Sequence, residues 1–305
     1  MSSTATEPTS FEPTVADRTA TDPTAPAVTR RRRRPRPLAH LGLIGFGVLM
    51  LYPLIWMLSS SFKPTDEIFR EPGIWPSNFT TENYPDGWNG LTSPFSRYIV
   101  NSTVIVALSI VGNLLGCSLA AYAFARLEFA FKRFWFAVML GTIMLPIHVV
   151  IVPQYILFRR FDWINTIWPL VVPKFLATDG FFVFLMVQFI RGLPRELDDA
   201  ARIDGCGHWG IFWRLIIPLS MPALAATAIF TFIWTWNDFF SQLIFLTDPD
   251  KYTVPVALRA FVDSTTRTSW GPVFAMSMVS LAPVFGFFLA GQRYLVRGIA
   301  TTGLK

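Results

Sequence analysis

Twenty-four consecutive residues, Pro37–Ser60, carry no aspartate, glutamate, lysine or arginine, with His40 the only titratable group apart from Tyr52. Tyr98–Ala125 and Phe134–Phe158 are equally free of ionised side chains. A hydrocarbon core of about 30 Å is crossed by about 20 helical residues. Stretches this long and this apolar have few options in water, because a soluble fold cannot cover them. Composition agrees: 52% of the 305 residues are hydrophobic and only 15% charged, against about a quarter charged in ordinary soluble domains. The expected fold class is therefore all-α, a polytopic integral membrane protein.

Six spans are expected in all. Beyond the three above they are Lys174–Ile190, Pro222–Leu246 and Pro272–Ala290. Residues 1–37, rich in Thr, Pro, Ser and Ala, read as a disordered tail closing on Arg30 to Arg34 plus Arg36. Seven of the 26 Lys and Arg residues lie in that tail. Basic residues are retained on the cytoplasmic side, so the expected topology is N-in, C-in, with the first span a signal-anchor. The second unit, 38–305, is then the transmembrane domain, with a cytoplasmic loop over 191–218. The loop Phe62–Arg97 is external and too short to be a ligand-binding domain.

Several chemistries are excluded. Cys117 and Cys206 cannot build a disulfide framework or a four-sulfur metal site. His40, His148 and His208 lie too far apart for ligand spacing, so no metal is expected. None of the five lysines follows a glycine, so the chain has no phosphate loop and hydrolyses no ATP. No nucleophile–base pairing is evident, which leaves no catalytic residues to assign. The basic excess is a topology signal and not a nucleic-acid surface.

The segment from Arg191 to Pro218 is the informative one. Pro194 suits a first helical turn, and Glu196, Asp198 and Asp199 favour its positive end. Gly205 is a natural stop. The helix Glu196–Asp204 spans about 13 Å and is marginal in isolation. Leu197, Ala200, Ala201 and Gly205 share one stripe, small enough for a second surface to approach.

Asp199-Ala200-Ala201, three residues, Gly205, nine residues, then Leu215-Ile216-Ile217-Pro218 resembles the E-A-A loop of ABC importer permeases. Asp for Glu at 199, Leu for Ile at 215 and Ile for Leu at 217 depart mildly from the family pattern. Ala201 to Gly205, Pro218 to Pro222, Trp236-Asn237-Asp238 and Gln292 to Gly298 resemble the maltose-type carbohydrate-uptake permeases, and the likeness runs from Leu38 to Lys305. The resemblance implies a MetI-like architecture with six transmembrane helices in a bacterial inner membrane. It implies a second homologous permease, a different chain in most of the family, two ATPase subunits that use ATP and Mg, and an external solute-binding protein that delivers sugar. It also implies ATPase coupling through Glu196, Leu197, Asp199, Ala200, Ala201, Asp204 and Gly205. This chain would bind no cofactor itself.

Asp238 is the one ionised side chain of the fifth span, and intramembrane acids face a cavity or a partner. One reading sets Asn237 and Asp238 on a solute path with Trp234 or Trp236 stacking on a sugar face. The other makes Asp238 a structural hydrogen bond at a helix break, or an acid reaching the outer interface. Lys174 and Asp179 are expected at the outer end of the fourth helix, reaching water or each other. His148 reads as a polar packing residue. Pro146, Pro153 and Pro283 are expected to break or bend helices. An ion-coupled secondary transporter is the competing class; it calls for a relay of several intramembrane acids, and only Asp179 and Asp238 are candidates.

Overall fold

A computed structural model describes residues 37–263 and 269–302, with side chains over 40–262 and 269–292. The Thr/Pro-rich tail and its arginines lie outside the described residues. Every regular element among those described is helical. The chain divides into two units, Met1–Met50 and Leu51–Lys305. Of the first, the described part is the start of α1 (Pro37–Ser60), where Leu41, Ile44, Phe46 and Leu49 are all exposed. A helix apolar on every side is soluble only in lipid or against another membrane helix.

The second unit is built around α3 (Phe95–Arg126), which follows the short α2 (Asn83–Asn89). At 32 residues α3 is about 48 Å long. Its pattern is inverted relative to a soluble helix. Ser102, Ser109, Gly112, Asn113, Gly116 and Cys117 are buried, while Val100, Val104, Val111, Leu115 and Leu119 are exposed. Lipid is as apolar as leucine, so small and polar residues go to the helix–helix contacts and the aliphatic ones face out.

Around α3 lie α4 (Lys132–Ile143), α5 (Ile147–Arg160), α6 (Trp168–Phe175) and α7 (Gly180–Arg191). Next come α8 (Glu196–Ile203), α9 (His208–Ile211), a π turn (Phe212–Ile216) and α10 (Ile217–Leu219). The chain continues with α11 (Met221–Trp236), α12 (Phe240–Phe245), α13 (Val254–Asp263) and α14 (Trp270–Thr302). One core joins the later half of α3 to α7 and the α9–α11 run through Ala121, Phe182, Met186 and Phe212. A second joins its first half to α11, α13 and α14 through Tyr98, Phe232, Ala257 and Met276. In the turn after α3, Lys132 donates to Glu128 at 3.0 Å and holds that carboxyl below its usual range.

Among the described residues, four helical stretches are long and apolar enough to cross a membrane, α6 and α7 counting together as Trp168–Arg191, or up to six if each of two bent pairs counts as one span. Three expected spans need correction. The third is not one helix: α4 and α5 meet at 104°, because Pro146 takes the extended N-cap position of α5 and keeps Leu145 out of the helix. The fourth starts earlier, at Trp168, and breaks between Phe175 and Gly180. The fifth ends at Trp236, and α12 begins only at Phe240.

At the Phe95 end of α3 the segment before it folds onto itself. Lys63, 1% exposed, donates through Nζ to the carbonyls of Glu71 (2.7 Å) and Gly73 (2.5 Å). Buried Asn83 donates to the carbonyls of Ser61 (2.9 Å) and Lys63 (2.8 Å). Backbone acceptors that a loop would leave to water are thereby satisfied.

Candidate functional site

Two features carry the chemistry, one at the Arg126 end of α3 and one near its middle. The first is α8. Its stop is a complete Schellman motif: Gly205 sits at φ +81°, its N–H donates to the Arg202 carbonyl (3.0 Å), and that of Cys206 donates to the Ala201 carbonyl (2.9 Å). The helix is eight residues long with Asp204 as C-cap. Glu196, Leu197, Asp199, Ala200, Asp204 and Gly205 are exposed; Ala201 is half-buried and packs on the core with Cys206. The stripe anticipated from spacing is thus open on all but one member. Nothing lies within 4 Å of where a Gly205 Cβ would be. Ile203 (87% exposed) and Trp209 (68%) stand in the same segment. Asp199 pairs with Arg202 at 3.4 Å on the surface, an ion pair of small energetic weight.

The inward side of α8 is what the sequence did not announce. Asp198 is buried, and its Oδ2 lies 3.0 Å from Nε of Arg126, whose side chain is 4% exposed. Arg126 also donates from Nη2 to the Leu193 carbonyl at 2.9 Å. The short helix is therefore fastened to the end of α3 by a buried charge pair. Below it, the π turn precedes Pro218. A proline ring cannot sit against an ordinary α turn, and widening the turn before it is one of the accommodations helices use.

The second feature begins with glycines. Gly112 and Gly116 stand one turn apart on α3, facing the end of α6. A Cβ on Gly116 would meet the Phe175 carbonyl oxygen at 2.7 Å and that of Lys174 at 2.9 Å. This close approach carries Lys174 and Asp179, either side of the α6–α7 break, against the middle of α3. Lys174 Nζ lies 2.9 Å from Asp179 Oδ2. Asn113, fully buried, donates to the same Oδ2 (2.7 Å) and to Thr231 Oγ1 (3.0 Å). Lys174 and Asp179 do pair, as one expectation had it, but against the middle of α3 and not at an outer helix end. The signal was present as Gly112-x-x-x-Gly116, the spacing that lets membrane helices approach closely.

A cavity of about 460 Å³ opens beside this cluster, lined by Lys174, Asp179, Trp234, Asn237, Asp238 and Gln242 with Ile105 and Leu170 among its apolar walls. Asp238 accepts from the Ser241 N–H at 3.1 Å, a bond across the break between α11 and α12, where Phe239 is the N-cap residue. Asn237 turns its amide to the Ile233 carbonyl, four residues back (2.7 Å). Asp238 is thus both a structural hydrogen-bond acceptor at the helix break and a cavity wall. Trp234 is 49% exposed, its ring resting on Phe182 at 5.0 Å. Trp236 is placed otherwise: 3% exposed, stacked on Phe232 at 5.6 Å, and outside the cavity lining. His148 packs its ring on Phe240 at 4.8 Å. Carboxylates, an ammonium, amides and an indole face around one cavity suit a hydroxyl-rich solute, whose hydroxyls hydrogen-bond while its apolar ring face stacks on an aromatic.

Residues 112–301 match the family described as binding-protein-dependent transport system inner membrane component. The chain is 36% identical over 258 residues to a probable ABC transporter permease protein of Bacillus subtilis, YurM, covering 85% of each. It is 31% identical to the diacetylchitobiose uptake system permease protein NgcG of Streptomyces coelicolor, covering 90% of this chain and 91% of the relative. Its fold is similar to that of a bacterial ABC transporter involved in the import of the acidic polysaccharide alginate, with a TM-score of 0.73 at 20% identity over 85% of this chain and 95% of that one.

Proposed function

This chain belongs to the binding-protein-dependent transport system inner membrane components, and on that premise we propose that it imports a sugar or oligosaccharide as one of two permease halves. The family makes it a multi-pass inner-membrane permease of an ABC importer, with ATP hydrolysis on a separate subunit. Our reading adds six spans, N-in and C-in, each bent pair crossing once. The loop holding Lys63 is tied through Asn83 to α2, whose Trp88 packs on Phe95 at the start of α3, and α8 is tied to Arg126 at its end; the two ends of this helix of about 48 Å support α8 being cytoplasmic and the loop external. A tail over 1–37 would precede the permease domain 38–305.

In this reading the exposed side of α8 docks into an ATPase subunit. Ala200 and Gly205 permit close approach, Leu197 anchors, and Glu196, Asp199 and Asp204 meet basic groups. Ala201 supports the helix from beneath. The partners are a second, homologous permease, two ATPases that bind ATP and Mg, and an external binding protein that delivers the solute. Trp234, Asn237 and Asp238 form part of the solute path, joined by Lys174 and Asp179; Trp236 contributes packing. A carbohydrate is favoured by the cavity chemistry and by the named uptake substrate of the Streptomyces relative.

One observation carries the reading: a helix too short to stand alone is fastened on one side and left open on the other. The test is co-purification followed by reconstitution in liposomes with the binding protein. Sugar-stimulated ATP hydrolysis and accumulation, both abolished by inactivating the ATPase, are expected. Accumulation driven by an ion gradient with the ATPase dead would overturn the proposal in favour of a secondary transporter.

A further inference from the structure

The ion pair Arg126–Asp198 belongs to neither the docking face nor the cavity, yet it lies between them. Asp198 is on the side of α8 turned away from the open residues, and Arg126 is the last residue of α3. The two side chains are 4% and 8% exposed. The contact is held by charge: Nε and Oδ2 are 3.0 Å apart, but Arg126 Nε and Asp198 Oδ1 have no hydrogen-bond partner among the described residues. Tyr122, one turn back on α3, donates its hydroxyl to the His208 carbonyl at 3.3 Å, a second tie to the segment following α8. From Arg126, α3 runs without a break to Asn113, whose amide holds Asp179 at the cavity wall.

We propose that Arg126 and Asp198 are positioning residues for transport, the joint through which displacement of α8 is delivered to α3 and so to the cavity. This rests on the docking reading above. Apolar side chains can slide past one another at little cost, whereas two buried opposite charges separate only at a large one. A charge pair at the foot of a long, continuous helix therefore fixes register under load. Asp199, the next residue, faces water and pairs only along its own helix; it lies on the docking side and does not share this role.

The experiment uses the complete importer in liposomes and reads solute moved per ATP hydrolysed. The unaltered importer is measured first: if its ATP hydrolysis ignores binding protein and sugar, the functional reading fails, not the joint. Asp198→Asn and Arg126→Gln are each expected to lower the ratio about tenfold while the ATPase still co-purifies. The exchange Arg126→Asp with Asp198→Arg is expected to recover it to within about twofold, since it restores the charge pair. An unchanged ratio in the single variants, or no recovery in the exchange, overturns the proposal. Should Asp198→Asn fail to assemble, Arg126→Met, which keeps a long side chain but removes the charge, is read in the same assay. A lowered ratio with the ATPase bound supports the joint, and an unaltered one overturns it.

Discussion

A methyl group at Gly116 would press on two backbone carbonyls of α6, 2.7 and 2.9 Å away, and backbone cannot step aside as a flexible side chain can. Gly116→Ala is therefore expected to cost about 1–3 kcal/mol, seen as a lowered midpoint in thermal unfolding of the detergent-solubilised protein. Gly205 is the opposite case. Space around it is open, so any penalty comes from its positive φ alone. Gly205→Asn should be nearly neutral and Gly205→Val should cost about 1–2 kcal/mol. Gly205→Trp should leave membrane insertion intact yet abolish uptake and ATPase stimulation; unchanged uptake would refute the docking assignment. At the cavity, the Lys174–Asp179 pair is about a quarter exposed on each side chain, which discounts its strength. A double-mutant cycle with Lys174→Met and Asp179→Asn should return a coupling of about 1 kcal/mol, the double variant being less destabilised than the two singles summed. Either single variant should also lower uptake if the pair lines the solute path.

At the scale of elements, short helices here exist because the rest of the protein holds them. A peptide spanning 191–218 should show little helical circular dichroism in water, since eight residues of α8 cannot repay nucleation. Strong helicity would mean that the Arg126 contact is not needed to form α8. The end of α8 was legible because stop chemistry is local, with Gly205 acting within one turn, whereas Pro194, expected in the first turn, lies just before the N-cap residue Arg195. The breaks in the third, fourth and fifth spans were less so. Hydropathy sees composition and not direction, and an apolar run with Pro146 in it reads the same whether the helices meet at 20° or at 104°. Asp238 suggested a break, but the identity of its partner, the Ser241 N–H, depends on where the chain turns.

For the whole molecule, the proposed topology makes a labelling prediction. Cys206 is half-buried beside Gly205, and Cys117 is buried within α3. A membrane-impermeant maleimide should therefore label the protein from the cytoplasmic side alone, through Cys206, and a variant with Trp75→Cys, at an exposed position (88%) of the Phe62–Arg97 loop, from the external side as well. Labelling of Cys206 in sealed, right-side-out vesicles would invert the assignment. The amino-acid sequence by itself determined the class, the membrane setting and the short helix α8 with its stop, because each rests on local terms: apolar length against bilayer thickness, cap residues, fixed spacing from Asp199 to Pro218. Only the tertiary structure decided which charges meet. Arg126 with Asp198, and Lys174 and Asp179 with Asn113, are pairings across helices, and Trp234 is separated from Trp236 by which face each turns to the core. The sequence carries the charges, but the energy of a buried charge depends on what stands within a few ångströms of it, and that is set by how the helices pack.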